Sequence, residues 1–433
     1  GITVLFITIP QVIAYAFLAG MPAQAGLYAA LVALCLYAIS GTSKVLAVGP
    51  TAIVAMMTLQ ITSTFSEPGS AEYIAAATKL ALLTGAVLLF LRAIRFGYVI
   101  SLLSHAVVAG FITAAAVLII GNQFPAALGL QGLREMNLAA QMVYLGRQLA
   151  DLNAVSLAIS LGSVVFLVLC KSYLVRCLVV AGFKSVNAEI LAKSAPMIVV
   201  ILAIGFSAYF NFNVNYGIEI VGIIPVGLPE LSWLLPTLDE ATQLLPGSIL
   251  IAMIIFLESI SIGSAMASKK RQRIEPNQEL LALGVANLGV AGVAGFPVAG
   301  SFARTAVNFA SGAVSQLASL ITAFFLVVTL LWFSEWFFAL PTAVLSAIVM
   351  VSAAQLIDIP RIRELIGYSG SDAVTFIGTF LMVIVMGVEI GLLSGVFLSI
   401  VFLLRRNSRP HMVEVGRLAG TEHFRNKRRF EVE

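Results

Sequence analysis

Fourteen apolar segments follow one another along the chain, at about 2–18, 25–40, 46–64, 75–96, 99–121, 155–175, 193–211, 247–267, 278–294, 299–310, 313–333, 337–356, 371–388 and 390–404. A helix of about 20 apolar residues crosses the roughly 30 Å hydrocarbon layer of a bilayer, and several of these segments are shorter than that. Only 11% of the residues are charged and 60% are hydrophobic, with a mean hydropathy of +1.02. Soluble domains carry about 25% charge. The pattern therefore predicts an all-α polytopic membrane protein over residues 1–404, with membrane lipid as its surroundings. The net charge of +4 is small and scattered over loops, so nucleic acid is not an expected partner. Cys35, Cys170 and Cys177 have no metal or redox spacing, and packing is their default role.

Loop charge gives the expected orientation. With Gly1 near the cytoplasm, Lys44, Arg92, Arg95, Lys171, Arg176, Lys184, the cluster Lys269-Lys270-Arg271-Gln272-Arg273, Arg361, Arg363, Arg405 and Arg406 fall on the cytoplasmic side. Glu67, Glu72, Glu230, Asp239, Glu240 and Glu335 fall outside, and Arg134 and Arg147 are exceptions in the longest outer loop. The bias fits an even number of crossings with both chain ends in the cytoplasm. The basic cluster reads first as a positive-inside determinant and second as a lipid headgroup site. The chain begins at Gly1 inside an apolar segment, as a trimmed chain would, and shows no cleavable leader.

Two short segments are interrupted in matching ways. Ala47-Val48-Gly49-Pro50-Thr51-Ala52 breaks the third, and Pro297-Val298-Ala299-Gly300-Ser301-Phe302-Ala303-Arg304-Thr305 breaks the tenth, about 250 positions on. The first and eighth segments are separated by nearly the same distance. Seven segments followed by seven more, with a Gly/Pro break in the third of each, is the pattern of an inverted repeat, here about 1–211 and 247–404. In such folds two half-helices begin near the midplane, and their free N–H groups and positive dipole ends suit an anion. Arg304 falls in the first turn of the second half-helix. An arginine at that depth costs roughly 2.5–3.5 kcal/mol, so a role in the site is expected of it.

Three further residues inside apolar segments could carry chemistry. Glu258 lies mid-segment and is a candidate proton carrier, or alternatively a structural partner for Arg304. Gln11 and Tyr15 are four apart beside Pro10, which puts an amide and a phenol on one helix face. That face suits a pocket lining and equally a helix–helix contact. His105 reads as a helix-interface residue, Glu389 lies at a segment boundary, and Lys79 and Arg92 lie near segment ends from which they can snorkel. No P-loop, dinucleotide fingerprint, HExxH or GxSxG occurs in the sequence, so neither an enzyme nor a cofactor is expected.

Several motifs in order resemble the sulfate permease (SulP) family of anion transporters, which includes the animal anion exchangers related to prestin. They are Pro10-Gln11 with Ala14-Tyr15-Ala16, Gly26-Leu27-Tyr28, Gly41-Thr42-Ser43-Lys44 with Val48-Gly49-Pro50, Asn277-Gln278-Glu279-Leu280 with Gly284 and Asn287, Leu340-Pro341 with Val344-Leu345, and Glu389-Ile390-Gly391. The resemblance implies fourteen transmembrane segments in two inverted seven-helix repeats, divided into core and gate domains. It implies an anion held between the third and tenth helices, with Gln11 and Tyr15 lining the pocket. The backbone around Val48, Gly49 and Thr51 and around Gly300, Ser301 and Phe302 would donate to the anion, and Arg304 would supply positive potential. Glu258 matches an acidic position associated with proton coupling. A sodium-coupled bicarbonate member has aspartate there and threonine four residues on. Glu258 and Ile262 stand here, so a proton is expected ahead of sodium. Ala303 stands where prestin-like members have a serine. The family's cytoplasmic STAS domain is absent from this chain, and the polar residues 405–433 fit the linker to it.

The expected activity is secondary active transport of a small inorganic or organic anion, with sulfate by proton symport first. Bicarbonate or dicarboxylate transport, chloride exchange and an anion channel are alternatives on the same fold, and nucleobase transport is a more distant one. A bacterial inner membrane and a homodimer of the full-length protein complete the expectation.

Overall fold

The computed structural model describes residues 1–97, 105–130, 138–183, 188, 191–269, 271–368, 370–408, 414–417 and 422–426. Arg134, Lys184 and Lys270, and most of the chain after residue 408, lie outside the described residues. So do the side chains of His105, Arg361, Glu389, Arg405 and Arg406.

Every apolar segment read from the sequence contains a helix. The first seven are α1 (Ile2–Leu18), α2 (Ala23–Ser40), α3 (Ala52–Thr62), α4 (Ala71–Ala93), α5 (His105–Leu128), α7 (Ala154–Leu169) and α9 (Ala195–Phe210). The second seven are α11 (Leu238–Lys269), α12 (Pro276–Ala291), α13 (Phe302–Ala310), α14 (Leu317–Trp332), α15 (Thr342–Ala354), α17 (Gly370–Met386) and α18 (Val388–Asn407). Between them lie α6 (Leu138–Gln148), α8 (Val175–Val180), α10 (Phe212–Tyr216) and α16 (Ile359–Tyr368), which hydropathy alone does not reveal. Among the described residues, five helices are long and apolar enough to cross a membrane unaided.

The expectation of an all-helical chain needs one amendment. Two antiparallel strand pairs are present: β1 (Val48–Gly49) with β2 (Ala299–Gly300), and β3 (Val415–Arg417) with β4 (Phe424–Asn426). Strands of two or three residues are too short to display an alternating pattern. Two further expectations change. Arg147 sits in the last turn of α6 rather than in a loop. Lys79 does not snorkel freely: its Nζ is 2.6 Å from Glu240 Oε1, tying α4 to the start of α11.

The helices pack in two groups. One contains α1–α4 and α11–α14, with α4 against α12 and α11, and α2 against α12 and α14. The other contains α5, α7, α9, α15, α17 and α18, with α5 against α15, α17 and α18. The groups meet where α1 packs on α15 and α9, and where α3 packs on α5. Exchanging each of these helices for the one seven places along maps the contacts within the groups onto one another, though not those between the groups. The α4–α12 pair becomes α14–α2, α4–α11 becomes α14–α1, and α5–α17 becomes α15–α7, all of which are in contact. An extended connector between the halves joins the groups: Val221 N–H donates to Leu340 O at 2.9 Å and Ser232 N–H to Gly292 O at 2.8 Å.

Close approach of helices rests on small residues, as expected where lipid supplies no hydrophobic drive between them. Gly85 of α4 and Gly284 of α12 meet backbone to backbone: a Cβ on Gly85 would stand 2.9 Å from Gly284 O and 2.8 Å from Leu288 N. Buried threonines return their hydroxyls to the carbonyl four residues back, as at Thr58, Thr78, Thr113 and Thr379, so their polarity is satisfied within the helix. A Gly85→Val substitution is expected to destabilise the chain by about 1–3 kcal/mol through overpacking against immovable backbone. It should appear as a lowered Tm in detergent.

Candidate anion site between two half-helices

Local geometry follows from the two breaks. Strands β1 and β2 pair antiparallel, with Val48 opposite Gly300 and Gly49 opposite Ala299. Each strand leads within two residues into a short helix, β1 into α3 and β2 into α13. Because the strands are antiparallel, the helices run away in opposite directions and leave both N-termini at the strand pair. The first intrahelical bonds are Ala55 N–H to Thr51 O and Thr305 N–H to Ser301 O. The N–H groups before them have no carbonyl within their helix. Neither N-cap residue, Thr51 or Ser301, caps them with its side chain. Two positive helix ends therefore converge on one place.

Arg304 spans this junction. It is 0% exposed, and Nη2 donates to Pro50 O at 2.7 Å. Its guanidinium lies on Gly49, where a Cβ would stand 3.0 Å from Nη1. Nε and Nη1 are buried without a hydrogen-bond partner. Arginine donors without an acceptor are costly in the interior, and these two N–H groups are open to a negatively charged acceptor.

Glu258 approaches from α11. It is 9% exposed, within electrostatic range of Arg304 and beside the Thr51 hydroxyl. Glu258 Oε2 and Thr51 Oγ1 are nevertheless both buried without a properly formed hydrogen bond. Its carboxyl also walls an apolar cleft lined by Ile53, Ile254 and Leu257 on one helix group and Val107 and Phe111 on the other. Tyr15 lies within electrostatic range of both Arg304 and Glu258. Gln11, 3% exposed, donates from Nε2 to Ser352 Oγ at 3.3 Å.

The residues singled out from the sequence gather around the two breaks, with Gln11 one turn from Tyr15, but the Gly300 and Ser301 N–H groups expected to donate to an anion are taken by Ser259 Oγ and Ala47 O. The Phe302 side chain is the outlier, at 46% exposed. Ile262 is buried and carries no oxygen to pair with Glu258 as a cation ligand.

The residues that hold the site were not assigned from sequence. Ser259 Oγ accepts from Gly300 N–H at 2.9 Å, Thr305 Oγ1 accepts from Ala47 N–H at 3.1 Å, and Ser301 N–H donates to Ala47 O at 2.9 Å. Asn287 brackets Val298, accepting from its N–H at 2.9 Å and donating to its carbonyl at 3.0 Å. Gln316 donates to Ser43 O at 2.5 Å and Leu46 O at 3.0 Å. Glu279 takes hydrogen bonds from the Tyr37 hydroxyl at 2.7 Å, from Thr42 N–H at 2.9 Å, from the Thr42 hydroxyl and from Ser43 N–H at 3.2 Å. The available signal was the position of Glu279 and Asn287 in a quoted motif, and of Ser259 beside Glu258.

A Gly49→Ala change should displace the guanidinium from its seat without disturbing the helices. Anion binding is expected to weaken about tenfold, roughly 1.4 kcal/mol, with Tm nearly unchanged. Titration of the purified protein with sulfate checks this.

The sequence profile of the Sulfate permease family matches residues 1–379. Sulfate transporter 4.1 (chloroplastic) of Arabidopsis thaliana is 32% identical over 99% of this chain and 61% of its own length. A probable sulfate transporter of Mycobacterium tuberculosis is 29% identical over 97% of this chain and 72% of its own length. The chain therefore spans about three fifths of the length of the plant relative. The fold is that of murine Solute Carrier 26 family member A9, with a TM-score of 0.84 and 24% identity over 99% of this chain and 71% of that one. It is also that of the transmembrane domain of a cyanobacterium bicarbonate transporter, with a TM-score of 0.75 and 19% identity over 92% of this chain and 95% of that one. These relatives are transporters, not enzymes. With its succession of apolar helices and this match over residues 1–379, the chain belongs to the sulfate permease family of integral membrane transporters.

Proposed function

We propose that the chain is the membrane part of a secondary active transporter of small anions, with sulfate as the first substrate and a proton as the coupling ion. One observation carries this reading: Arg304 lies fully buried at the meeting point of two half-helix N-termini with Nε and Nη1 unpartnered. Donor groups and positive dipole ends without a matching acceptor favour an anion over a neutral nucleobase. The curated relatives named as sulfate transporters put sulfate ahead of bicarbonate, chloride and dicarboxylates.

In this account the anion sits between residues 48–52 and 300–304. It accepts from the free N–H groups of both helix ends and from Arg304. Gln11 and Tyr15 close the pocket from α1. Protonation of Glu258 removes a negative charge that would repel the anion, which couples the two fluxes. The group holding α1–α4 and α11–α14 then moves against the group holding α5, α7, α9, α15, α17 and α18 and exposes the site to the other side. Fourteen crossings in two inverted repeats of seven, residues 1–404, put both ends of the chain in the cytoplasm of a bacterial inner membrane. The segment after 404 leads toward a further cytoplasmic domain, and the full-length protein works as a homodimer.

Transport into proteoliposomes tests the coupling. Sulfate uptake should rise with an inward proton gradient, and Glu258→Gln should abolish that rise while leaving sulfate-for-sulfate exchange in place. Uptake by Glu258→Gln that still follows the gradient would remove Glu258 from the coupling step. Stronger competition by bicarbonate than by sulfate would change the substrate.

A further inference from the structure

Ser352 is a polar residue in the site cluster that belongs to the other helix group. It lies near the end of α15, and its partner Gln11 lies on α1. The Gln11 Nε2 to Ser352 Oγ bond of 3.3 Å therefore crosses the boundary at which α1 packs on α15. It has a consequence for Gln11. An amide offers an anion two donors on nitrogen and only repulsion from its oxygen. Here the nitrogen is engaged by Ser352, while Gln11 Oε1 is buried with no partner. One of the two amide N–H donors of Gln11 is thus committed to Ser352.

We infer that Ser352 is a positioning residue that competes with the transported anion for the Gln11 amide, so that loading the site releases a hydrogen bond between the two helix groups. The inference rests on the transport reading above and adds to it a link between occupancy and the contact of the moving parts. Without anion, the Gln11 amide holds α1 to α15. With anion, the amide turns to the ligand, and the α1–α15 boundary loses that bond at the moment the groups must slide. A ligand can shift such an equilibrium only through different affinity for its two states, and the Gln11 amide supplies that difference.

The test is a double-mutant cycle read in two ways. Binding of radiolabelled sulfate to Ser352→Ala should tighten about three- to tenfold, the weight of one hydrogen bond, because its competitor is gone. Ser352→Thr keeps the acceptor and should bind as the wild type does. In a Gln11→Ala background the Ser352→Ala change should have no effect on binding, since the shared group is absent. Thermal unfolding without anion should show the two single changes to be non-additive, and saturating sulfate should erase that coupling. Weaker sulfate binding by Ser352→Ala would make Ser352 a direct ligand and overturn the competition; unchanged binding would overturn it as well. Additive Tm changes in the unloaded protein would overturn the contact itself. A wild-type chain that binds none of sulfate, bicarbonate or chloride would remove the transport reading, and the unloaded cycle would still decide whether the contact exists.

Discussion

The guanidinium of Arg304 is the group on which the centre of this molecule depends. It starts on the second half-helix, lies flat on Gly49 and ends at the carbonyl of Pro50, immediately ahead of the first. One side chain thus joins the two breaks, and glycine at position 49 makes the approach possible. A charge at that depth is costly to bury, and hydrophobic packing often serves a core as well as a buried ion. Two of its nitrogens stay without acceptors at a point already made positive by two helix ends. A bound anion answers both facts at once.

Such a site needs a frame that does not yield when the ligand leaves. The segments ahead of β1 and β2 are not regular structure, and their backbone groups would be unsatisfied in the interior. Polar side chains from neighbouring helices meet them. Glu279 and Gln316 hold residues 42–46, Asn287 holds Val298, and Ser259 and Thr305 fasten the ends of the strand pair. Removing one such partner leaves a buried donor or acceptor bare, at about 1–3 kcal/mol. These side chains come from α11, α12, α13 and the N-cap of α14, so both breaks are bound into one helix group. The other group touches the site through α15 at Ser352 and, across an apolar cleft, through α5.

Much of this arrangement was legible in the sequence. The bilayer dictates long apolar runs, so the apolar helices could be located, and the Gly/Pro breaks at 48–51 and 297–301 marked the two that are interrupted. Arg304 and Glu258 stood out because ionisable residues are rare in such runs. The hidden parts share a physical reason. A serine or threonine on an apolar helix reads the same whether it bonds its own helix, as Thr58 does, or a neighbour, as Ser259 does. Two-residue strands carry no periodicity. The connecting helices α6 and α16 are amphipathic and too polar for a hydropathy scan. The start of α11 at Leu238 precedes its apolar stretch because Glu240 caps it through Thr237 and pairs with Lys79, which is information spread over two distant segments.

The central claim is that a single anion lies between the two half-helix N-termini, held by Arg304. A structure of the protein in lipid nanodiscs or crystals with selenate, a heavy analogue of sulfate, tests it most directly. The account predicts one anomalous or density peak within hydrogen-bond distance of the Arg304 guanidinium and of the first N–H groups of α3 and α13. A peak at saturating selenate on the basic loop surface instead, with the Arg304 seat empty, would contradict it.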